Sequence, residues 1–354
     1  MTSTALFHAR NRRGLGHLMR AQNIASALRE SGPHVTPHVH ATHRPDPALW
    51  DDEIALTTDS DRSWAATRTR LRPTVIIHDT TLAHDLAEAR REGDDARTVL
   101  VLRRRHVDQH HELLARHDLS CIDRFIVPHT IEEFGHELPA RVGGRTSFVG
   151  PIARRPNDAG RAAIRRQLGI DPTEFLVTAT VGGGGFAEQA DRFFEIVGAM
   201  IDAVSATRPD AHFAVVLGPN YRNDQVADQL RRRSATTVVT VEPRLVDLVA
   251  ASDLVIAEGG YNTVTEVRLA QTPTIFIPSL RRLDDQAERV ELVAKTGAAV
   301  VVFPGDPLNL ASDLAGALAG NNAQLAGMRS AAAARPLTLG NDAAARIITS
   351  LVDP

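Results

Sequence analysis

The sequence predicts an α/β protein made of two parallel-sheet domains. Its 354 residues suit two domains of ordinary size. Short apolar runs alternate with helical patterns in both halves, which is typical of parallel sheets covered by helices. A polar, proline-containing segment at 154–158 separates the halves. We therefore predict Rossmann-like domains at 1–150 and 151–354, with a last helix that can cross back to the N-terminal domain.

In the first half, the apolar runs predict buried strands at 5–8, 74–78, 98–102 and 125–127, and a closing strand at 147–149. Leu18, Ile24, Ala25 and Leu28 share one helical face between the first two strands. The region 40–72 is rich in Asp, Thr and Pro and predicts no definite element.

In the second half, the same reasoning predicts strands at 175–180, 212–217, 237–241, 254–256, 274–277 and 299–302. Helices are expected between them. Alanine-rich helical stretches follow Pro307.

Composition excludes several classes of protein. A net charge of −3 argues against a general nucleic-acid binder. Cys121 is the sole cysteine, which excludes an internal disulfide and a cysteine-rich metal site. The chain opens on a strand without a signal peptide, and no apolar run is long enough for a membrane span. We expect a cytoplasmic monomer or homodimer without integral membrane association and without a cofactor.

The segment 252–291 carries the clearest functional pattern. A short apolar strand leads through Gly259 and Gly260 into a helix that begins at Tyr261-Asn262-Thr263. Glycines allow a ligand to approach the backbone, and a helix N-terminus favours a phosphate. Glu266 lies about one turn further along the same face, where a carboxylate accepts bonds from ribose hydroxyls. The pattern predicts one half of a nucleotide-sugar site.

This segment resembles the donor-binding half of GT-B glycosyltransferases, in particular those similar to the lipid-II N-acetylglucosaminyltransferase. It is more similar to a group of bacterial glycosyltransferases with a GGYNT-x-x-E signature and a later P-x-x-x-x-x-x-Q. The matching residues are Gly259, Gly260, Tyr261, Asn262, Thr263, Glu266, Pro278 and, later than a strict match, Gln286. The N-terminal G-x-G-H-x-x-R is present as Gly14, Gly16, His17 and Arg20.

The resemblance implies two Rossmann-like domains facing across a cleft, with the donor held by the second domain and the acceptor by the first. It implies an inverting, metal-independent transferase for a nucleotide-diphosphate sugar, UDP above all. A small-molecule acceptor, as in antibiotic or other specialised metabolite pathways, is favoured because the first domain shows no basic and apolar membrane patch.

Further donor contacts are predicted in the second half. The loop Gly182-Gly183-Gly184-Gly185 follows a strand and precedes a helix, as a diphosphate-binding loop does, although a tight turn also uses glycine. By the resemblance, Arg244 or Leu245 lines the base, and Asp285 and Gln286 bind sugar hydroxyls. Asp284 is the alternative helix cap.

The first half supplies the candidates for chemistry. Gly16 and His17 open a helix after a strand, and the helix dipole keeps a histidine there neutral, as a general base requires. His17 is therefore the candidate base, with a ligand contact or a structural role as alternatives. Asp79, at a strand end, is a second candidate base, a partner that orients a histidine, or a helix cap.

The acceptor contacts are assigned to Arg20, His78 and His129. For Arg20, a solvent-exposed position on the helix is the alternative. Arg103-Arg104-Arg105 and Arg231-Arg232-Arg233 are interpreted as solvated faces. The nearby His106, His110 and His111 lack the spacing of a zinc site, and no metal ligand is assigned.

Three other classes of function share parts of this pattern. A nucleotide-sugar hydrolase or epimerase uses the same fold, and a hydrolase shares the G-x-G-H-x-x-R start. A noncatalytic nucleotide-sugar-binding protein is the second alternative. A Rossmann dehydrogenase is excluded, because no acidic residue follows at the ribose position of a complete G-x-G-x-x-G.

Overall fold

A computed structural model describes residues 3–11, 14–31, 34–91 and 93–352. The chain folds into two compact units. The first comprises Met1–Ala153 and Thr338–Pro354, and the second comprises Arg154–Leu337. The C-terminal residues therefore belong to the first unit and not to the second.

Within the described residues, the first unit contains a seven-stranded sheet in the order β3-β2-β1-β4-β5-β6-β7. All neighbouring strands are parallel. The strands are β1 Ser3–Ala9, β2 Val35–Ala41, β3 Ala55–Thr58, β4 Val75–Asp79, β5 Arg97–Val101, β6 Arg124–Val127 and β7 Thr146–Phe148. The helices are α1 Gly16–Ser31, α2 Trp64–Leu71, α3 Leu86–Arg91, α4 Val107–Leu114, α5 Ile131–Phe134, α6 Ala140–Gly143 and the C-terminal α15 Asn341–Thr349, with 3₁₀ turns at Pro47–Leu49 and His117–Cys121.

The second unit contains a six-stranded parallel sheet in the order β10-β9-β8-β11-β12-β13. Its strands are β8 Phe175–Thr180, β9 Ala211–Val216, β10 Thr236–Val239, β11 Leu254–Ala257, β12 Thr274–Phe276 and β13 Ala299–Val301. Its helices are α7 Asp158–Gln167, α8 Ala187–Thr207, α9 Asp224–Arg231, α10 Leu245–Ala251, α11 Tyr261–Ala270, α12 Gln286–Ala294, α13 Leu308–Ala319 and α14 Asn322–Ala333.

The predicted α/β class with two parallel sheets is confirmed. The region 40–72, which predicted no definite element, contains β3 and α2, and β2 ends just inside it. The pattern of β2 is obscured by Pro37 and by the polar His38 and His40. Helix α2 starts with Ser63 accepting a hydrogen bond from the Ala66 backbone N–H, but it buries only Trp64 and Thr67. So short an apolar stripe gives little periodicity to detect.

Aliphatic side chains fill the cores of both units. In the second unit, apolar side chains of the central strands pack against α8 and α13. In the first, α1 and α15 pack against each other and against β1 and β4. Ala344, Ala345 and Ile348 of α15 are fully buried, so burial of this small apolar face holds the C-terminal helix on the first unit.

Each sheet has a point where its strand order reverses direction, between β1 and β4 in the first unit and between β8 and β11 in the second. In open parallel sheets, ligands bind at the carboxyl ends of the strands at such points. The loops that follow these four strands are therefore the first places to look for a site.

Among the described residues, no helix combines the length and the apolar character that crossing a membrane would need.

Candidate functional site

In the first unit, three predicted residues meet at the reversal point of the sheet. His17 lies in the first turn of α1, and Asp79 is the last residue of β4. His17 Nδ1 lies 2.7 Å from Asp79 Oδ1. Arg20, one turn along α1, donates to both carboxylate oxygens of Asp79, at 2.8 Å from Nε and 2.6 Å from Nη2. The bidentate Arg20–Asp79 pair is a strong and geometrically specific contact.

Burial and the neighbouring charges set the protonation state of His17. Burial alone would raise the pKa of the Asp79 carboxyl, but the Arg20 charge and the His17 hydrogen bond hold that pKa well below its usual range. Burial lowers the pKa of His17, against the opposing effect of Asp79. His17 is thus neutral at pH 7, and its Nδ1–H donates to Asp79. The Nε2 atom then carries the lone pair, on a side chain that is 29% exposed.

The backbone that follows Asp79 is held in an unusual conformation. Thr80 has a φ of +62°, a left-handed conformation that costs a threonine about 1–3 kcal/mol. Its hydroxyl donates to Asp79 Oδ1 at 2.9 Å, and Arg105 donates to its carbonyl oxygen. The strained residue therefore completes the set of hydrogen bonds around the carboxylate.

The structure shows where the residues predicted as acceptor contacts lie. The alternative of an exposed position for Arg20 is wrong, because Arg20 is buried against Asp79. His78 is buried beside His8, with 3.3 Å between their Nδ1 atoms. His129 is also buried, and its Nε2 accepts a hydrogen bond from the Arg104 backbone N–H. The sequence did not predict the burial of His78 and His129, because a position at the end of a strand does not show whether the side chain faces solvent.

The run Arg103-Arg104-Arg105 is not a solvated face either. All three residues are partly buried in the loop after β5. Arg105 bonds to Thr80, and the charge of Arg103 contributes to the lowered pKa of His17. The run lies beside the His17–Asp79 pair because β5 neighbours β4, a fact of strand order that the sequence did not reveal.

In the second unit, the two predicted glycine segments converge. Gly182 follows β8, and the start of α11 follows β11, the neighbouring strand. A Cβ atom at Gly182 would lie 3.3 Å from Thr263 Oγ1. The cap residue of α11, Gly260, supplies no side-chain cap, so the first-turn N–H groups lack one. The Gly182 N–H already donates to Thr180 Oγ1 at 3.0 Å, so the N–H groups suited to a diphosphate are those of the rest of the glycine loop and of the first turn of α11.

Two polar side chains of α11 have unsatisfied groups at this place. Asn262 Oδ1 is buried without a hydrogen-bond partner. The Glu266 carboxyl is partly buried, has no hydrogen bond among the described residues, and has a pKa that burial raises to about 7. Since buried polar groups are normally paired, these groups are available to a ligand.

The glycines of this region have different roles. Gly184 has a φ of +68°, and a Cβ there would lie 2.6 Å from the Leu217 carbonyl oxygen. A Cβ at Gly259 would clash with Val290 of α12 at 2.8 Å. Both are needed for packing within the unit, so the alternative of a tight turn holds for Gly184. Gly182, Gly183 and Gly185 remain partly exposed.

At the start of helix α12, the residues predicted to contact the sugar have protein partners. Asp285, and not Asp284, is its N-cap and accepts a hydrogen bond from the Glu288 N–H at 3.0 Å. Asp284 pairs with Arg289. Gln286 is buried, and its side-chain oxygen accepts from the Ser279 N–H at 2.9 Å. Gln286 therefore fixes the loop before α12.

Of the residues predicted to line the base, Arg244 is the N-cap of α10 and donates to Gln167 at 2.6 Å. Leu245 packs partly buried against two apolar clusters. Both follow β10, the outer strand of the sheet.

The structure also reveals donor-side residues that sequence reasoning missed. Glu258, directly after β11, is buried and pairs with Arg281 at 2.6 Å. The Arg281 guanidinium lies 3.7 Å from the centre of the Phe186 ring, at the end of the glycine loop. This cation–π contact joins the loop after β12 to the glycine loop. In the sequence, only the acidic Glu258 next to Gly259 could have indicated these contacts.

Among the residues described, no group of three or more His, Cys, Asp and Glu side chains is arranged to hold a metal ion.

Comparison with known proteins shows which families and structures this chain resembles. Residues 178–338 match the family described as the glycosyltransferase family 28 C-terminal domain. Over 197 residues, the chain is 26% identical to an uncharacterized glycosyltransferase of Methanopyrus kandleri, covering 54% of this chain and 51% of that protein. The chain thus spans about half the length of this curated relative.

Among solved structures, the whole chain is similar to MurG of Acinetobacter baumannii, with a TM-score of 0.63, 16% identity and coverage of 98% and 99% of the two chains. The chain has the GT-B fold. The chain is also similar to the structure of UGT2 of Phytolacca americana complexed with UDP-2-fluoro-glucose. The TM-score of this match is 0.64, the sequence identity is 12%, and it covers 94% of this chain and 93% of that chain. The predicted resemblance to GT-B glycosyltransferases is therefore confirmed at the level of fold and of the family 28 domain.

Proposed function

We propose that this GT-B protein is an inverting, metal-independent glycosyltransferase that moves a sugar from a nucleotide diphosphate to a small-molecule acceptor. The observation that carries the proposal is the hydrogen-bonded chain Arg20–Asp79–His17 at the reversal point of the first sheet. The match of residues 178–338 to the glycosyltransferase family 28 C-terminal domain supports it.

In this proposal, His17 is the general base. Asp79 accepts the Nδ1–H, which fixes the tautomer and the ring orientation, and Arg20 keeps Asp79 ionised. His17 Nε2 removes the proton of the acceptor hydroxyl. The oxygen attacks the anomeric carbon as the bond from that carbon to the diphosphate breaks. One displacement without a covalent intermediate inverts the anomeric centre.

The second unit binds the donor. Backbone N–H groups of the Gly182–Gly185 loop and of the α11 N-terminus stabilise the negative charge that develops on the leaving diphosphate. Glu266 accepts hydrogen bonds from the ribose hydroxyls. The nucleotide is UDP, by analogy with UGT2 of Phytolacca americana and its bound UDP sugar.

The metal-independent mechanism follows from this arrangement. The donor segment contains no Asp-x-Asp pair, and of its adjacent acidic residues, Asp284 pairs with Arg289 and Asp285 caps α12. The arrangement leaves charge stabilisation to backbone N–H groups and the helix dipole.

A melting screen followed by product analysis tests the proposal. UDP, GDP, dTDP and ADP are compared by thermal shift. A ligand that binds only the folded state stabilises it by about 2.7 kcal/mol at a concentration of 100 times Kd, and therefore raises the melting temperature. We expect UDP to give the largest shift. The matching sugar nucleotide is then incubated with acceptors, and the products are identified by mass spectrometry and by the anomeric configuration.

A new glycoside of inverted configuration supports the proposal. Free sugar formed at the same rate without any acceptor would identify a hydrolase, and an altered sugar nucleotide would identify an epimerase. Binding without any turnover would identify a noncatalytic nucleotide-sugar-binding protein.

A further inference from the structure

Three histidines form a row across the first sheet. The strand register places His8 of β1 directly beside His40 of β2 and His78 of β4. Trp64 of α2 covers all three, with ring centroids at 4.5 Å from His8, 5.5 Å from His40 and 5.9 Å from His78. The proposed chemistry uses none of these residues.

A cavity of about 210 Å³ opens beside this row. It is lined by His8 and Arg10 from β1 and the loop after it, by His40 from the end of β2, and by Thr42, which follows that strand. Asp59, Trp64 and the loop 82–84 complete the lining. Of the two strands at the reversal point, β1 contributes directly and β4 contributes through the loop from Thr80 to His84, which begins next to Asp79.

We infer that this cavity binds the acceptor, and that the acceptor presents to it a single uncharged, polyhydroxylated six-membered ring. The inference rests on the proposed function and specifies its substrate class.

The size of the cavity sets the first limit. A cavity of about 150 Å³ in another protein accommodates benzene, so about 210 Å³ holds one six-membered ring with polar substituents. A polycyclic ligand needs a larger pocket, because drug-sized ligands occupy about 300–1,000 Å³.

The lining sets the second limit. Arg10 and Asp59 bring one positive and one negative side chain to the same small cavity, so a charged ligand meets a like charge. Hydroxyl groups donate and accept, and therefore match both of these groups as well as the imidazole of His8, whereas both ring nitrogens of His40 are already bonded, to Thr67 and Asp59. Burial lowers the pKa of His8 to about 4, so its ring is neutral at pH 7, with one donor and one acceptor nitrogen. The ring of Trp64 supplies an apolar surface for the C–H face of a sugar or cyclitol.

Trp64 also supplies the readout. The chain has two tryptophans, and Trp50 does not line the cavity. The Trp50→Phe protein therefore reports on Trp64 alone. This protein is titrated with glucose, N-acetylglucosamine and myo-inositol, and with benzyl alcohol as an aromatic ring of similar size. We expect at least one of the polyols to change the Trp64 emission along a single-site curve, and to bind more tightly than benzyl alcohol.

A matched pair of variants locates the binding. Thr42→Phe places a ring in the cavity, whereas Thr36→Phe makes the same exchange at an exposed position of β2, the strand that Thr42 follows. In the Trp50→Phe background, Thr42→Phe should weaken polyol binding at least ten-fold, and Thr36→Phe should leave it unchanged. Melting temperatures show that both variants fold.

Three results would overturn the inference. The first is no change in Trp64 emission with any polyol, from 100-fold the protein concentration up to the limit of solubility. The others are tighter binding of benzyl alcohol than of every polyol, and a polyol affinity in Thr42→Phe equal to that of the Trp50→Phe protein. Nucleotide binding, measured in the same samples by thermal shift, separates the two proposals. If nucleotides bind and transfer occurs while polyols do not bind, the cavity assignment alone fails. If polyols bind but no sugar nucleotide binds, the acceptor role fails together with the proposed function.

Discussion

Glu266 gives the sharpest test of the donor site, because its protonation can be measured before any substrate is known. Its partly buried carboxyl has no partner among the described residues, and burial raises its pKa from 4.5 to about 7. The folded state therefore holds this proton more tightly than the unfolded state. The associated stability is fully present below about pH 4.5 and is lost as the pH rises through about 7.

The size of the effect follows from the two pKa values. At about 1.4 kcal/mol per pH unit, the raised pKa corresponds to about 3 kcal/mol, which is an upper limit because the side chain is partly exposed. Glu266→Gln has no proton to lose. Urea unfolding between pH 5 and 8 should thus show the wild type losing up to about 3 kcal/mol relative to Glu266→Gln. The control Glu291→Gln, at an exposed position of α12, should follow the wild type.

The same residue predicts a proton linked to binding. Ribose hydroxyls donate to an ionised carboxylate, so binding a UDP sugar near pH 7 should release a proton. Calorimetry in two buffers of different ionisation enthalpy measures this release, which Glu266→Gln should abolish. Glu266→Ala should weaken binding by about 1.5–3 kcal/mol and leave the fold intact. Unchanged proton release and affinity in both variants would refute the assignment of Glu266 to the ribose.

The remaining predictions concern the first unit, the glycine loop and metal dependence. His17→Ala should lower kcat about 10²–10⁴-fold with donor affinity little changed, whereas near-normal turnover in His17→Ala with collapse in Asp79→Asn would move the base to the aspartate. Arg20→Met leaves the Asp79 carboxylate buried without its cationic partner and should cost about 3–5 kcal/mol at pH 7 by urea unfolding, with the loss shrinking as the pH falls and Asp79 is protonated. Gly184→Ala should cost more than about 1 kcal/mol by the same assay, and Gly305→Ala, where a Cβ meets nothing within 4 Å, should cost little. Transfer should persist in EDTA; full loss that manganese or magnesium restores would contradict the metal-independent mechanism.

Strand–helix alternation was sufficient to predict the two parallel sheets, because buried parallel strands read as continuous apolar runs. The polar strand β2 and the four-residue strand β3 carry no such run and were missed. At the site, glycine turns and the position of His17 could be predicted from local pattern. The bonds of Arg20 to Asp79 could not, because they join residues 59 positions apart.

Burial is the property of these residues that the sequence did not show. His78 and His129 were placed by the strand ends at which they lie, Arg20 by its turn of α1 and Gln286 by the resemblance, and the structure shows each of them buried. A polar side chain at a ligand-binding edge either faces the ligand or holds in place one that does, and sequence alone does not separate these roles.

In this chain, the two roles can be separated by whether a polar side chain already has a hydrogen-bond partner in the protein. Gln286 and Arg20 have protein partners, whereas the Glu266 carboxyl and Asn262 Oδ1 have none among the residues described. An unpaired group that burial penalises is costly in the free protein, and that cost is recovered only when a ligand supplies the missing bond. In the proposed donor site, this argument favours Asn262 and Glu266, on one turn of α11, over the charged loop before α12 as the residues that set the specificity for the nucleoside.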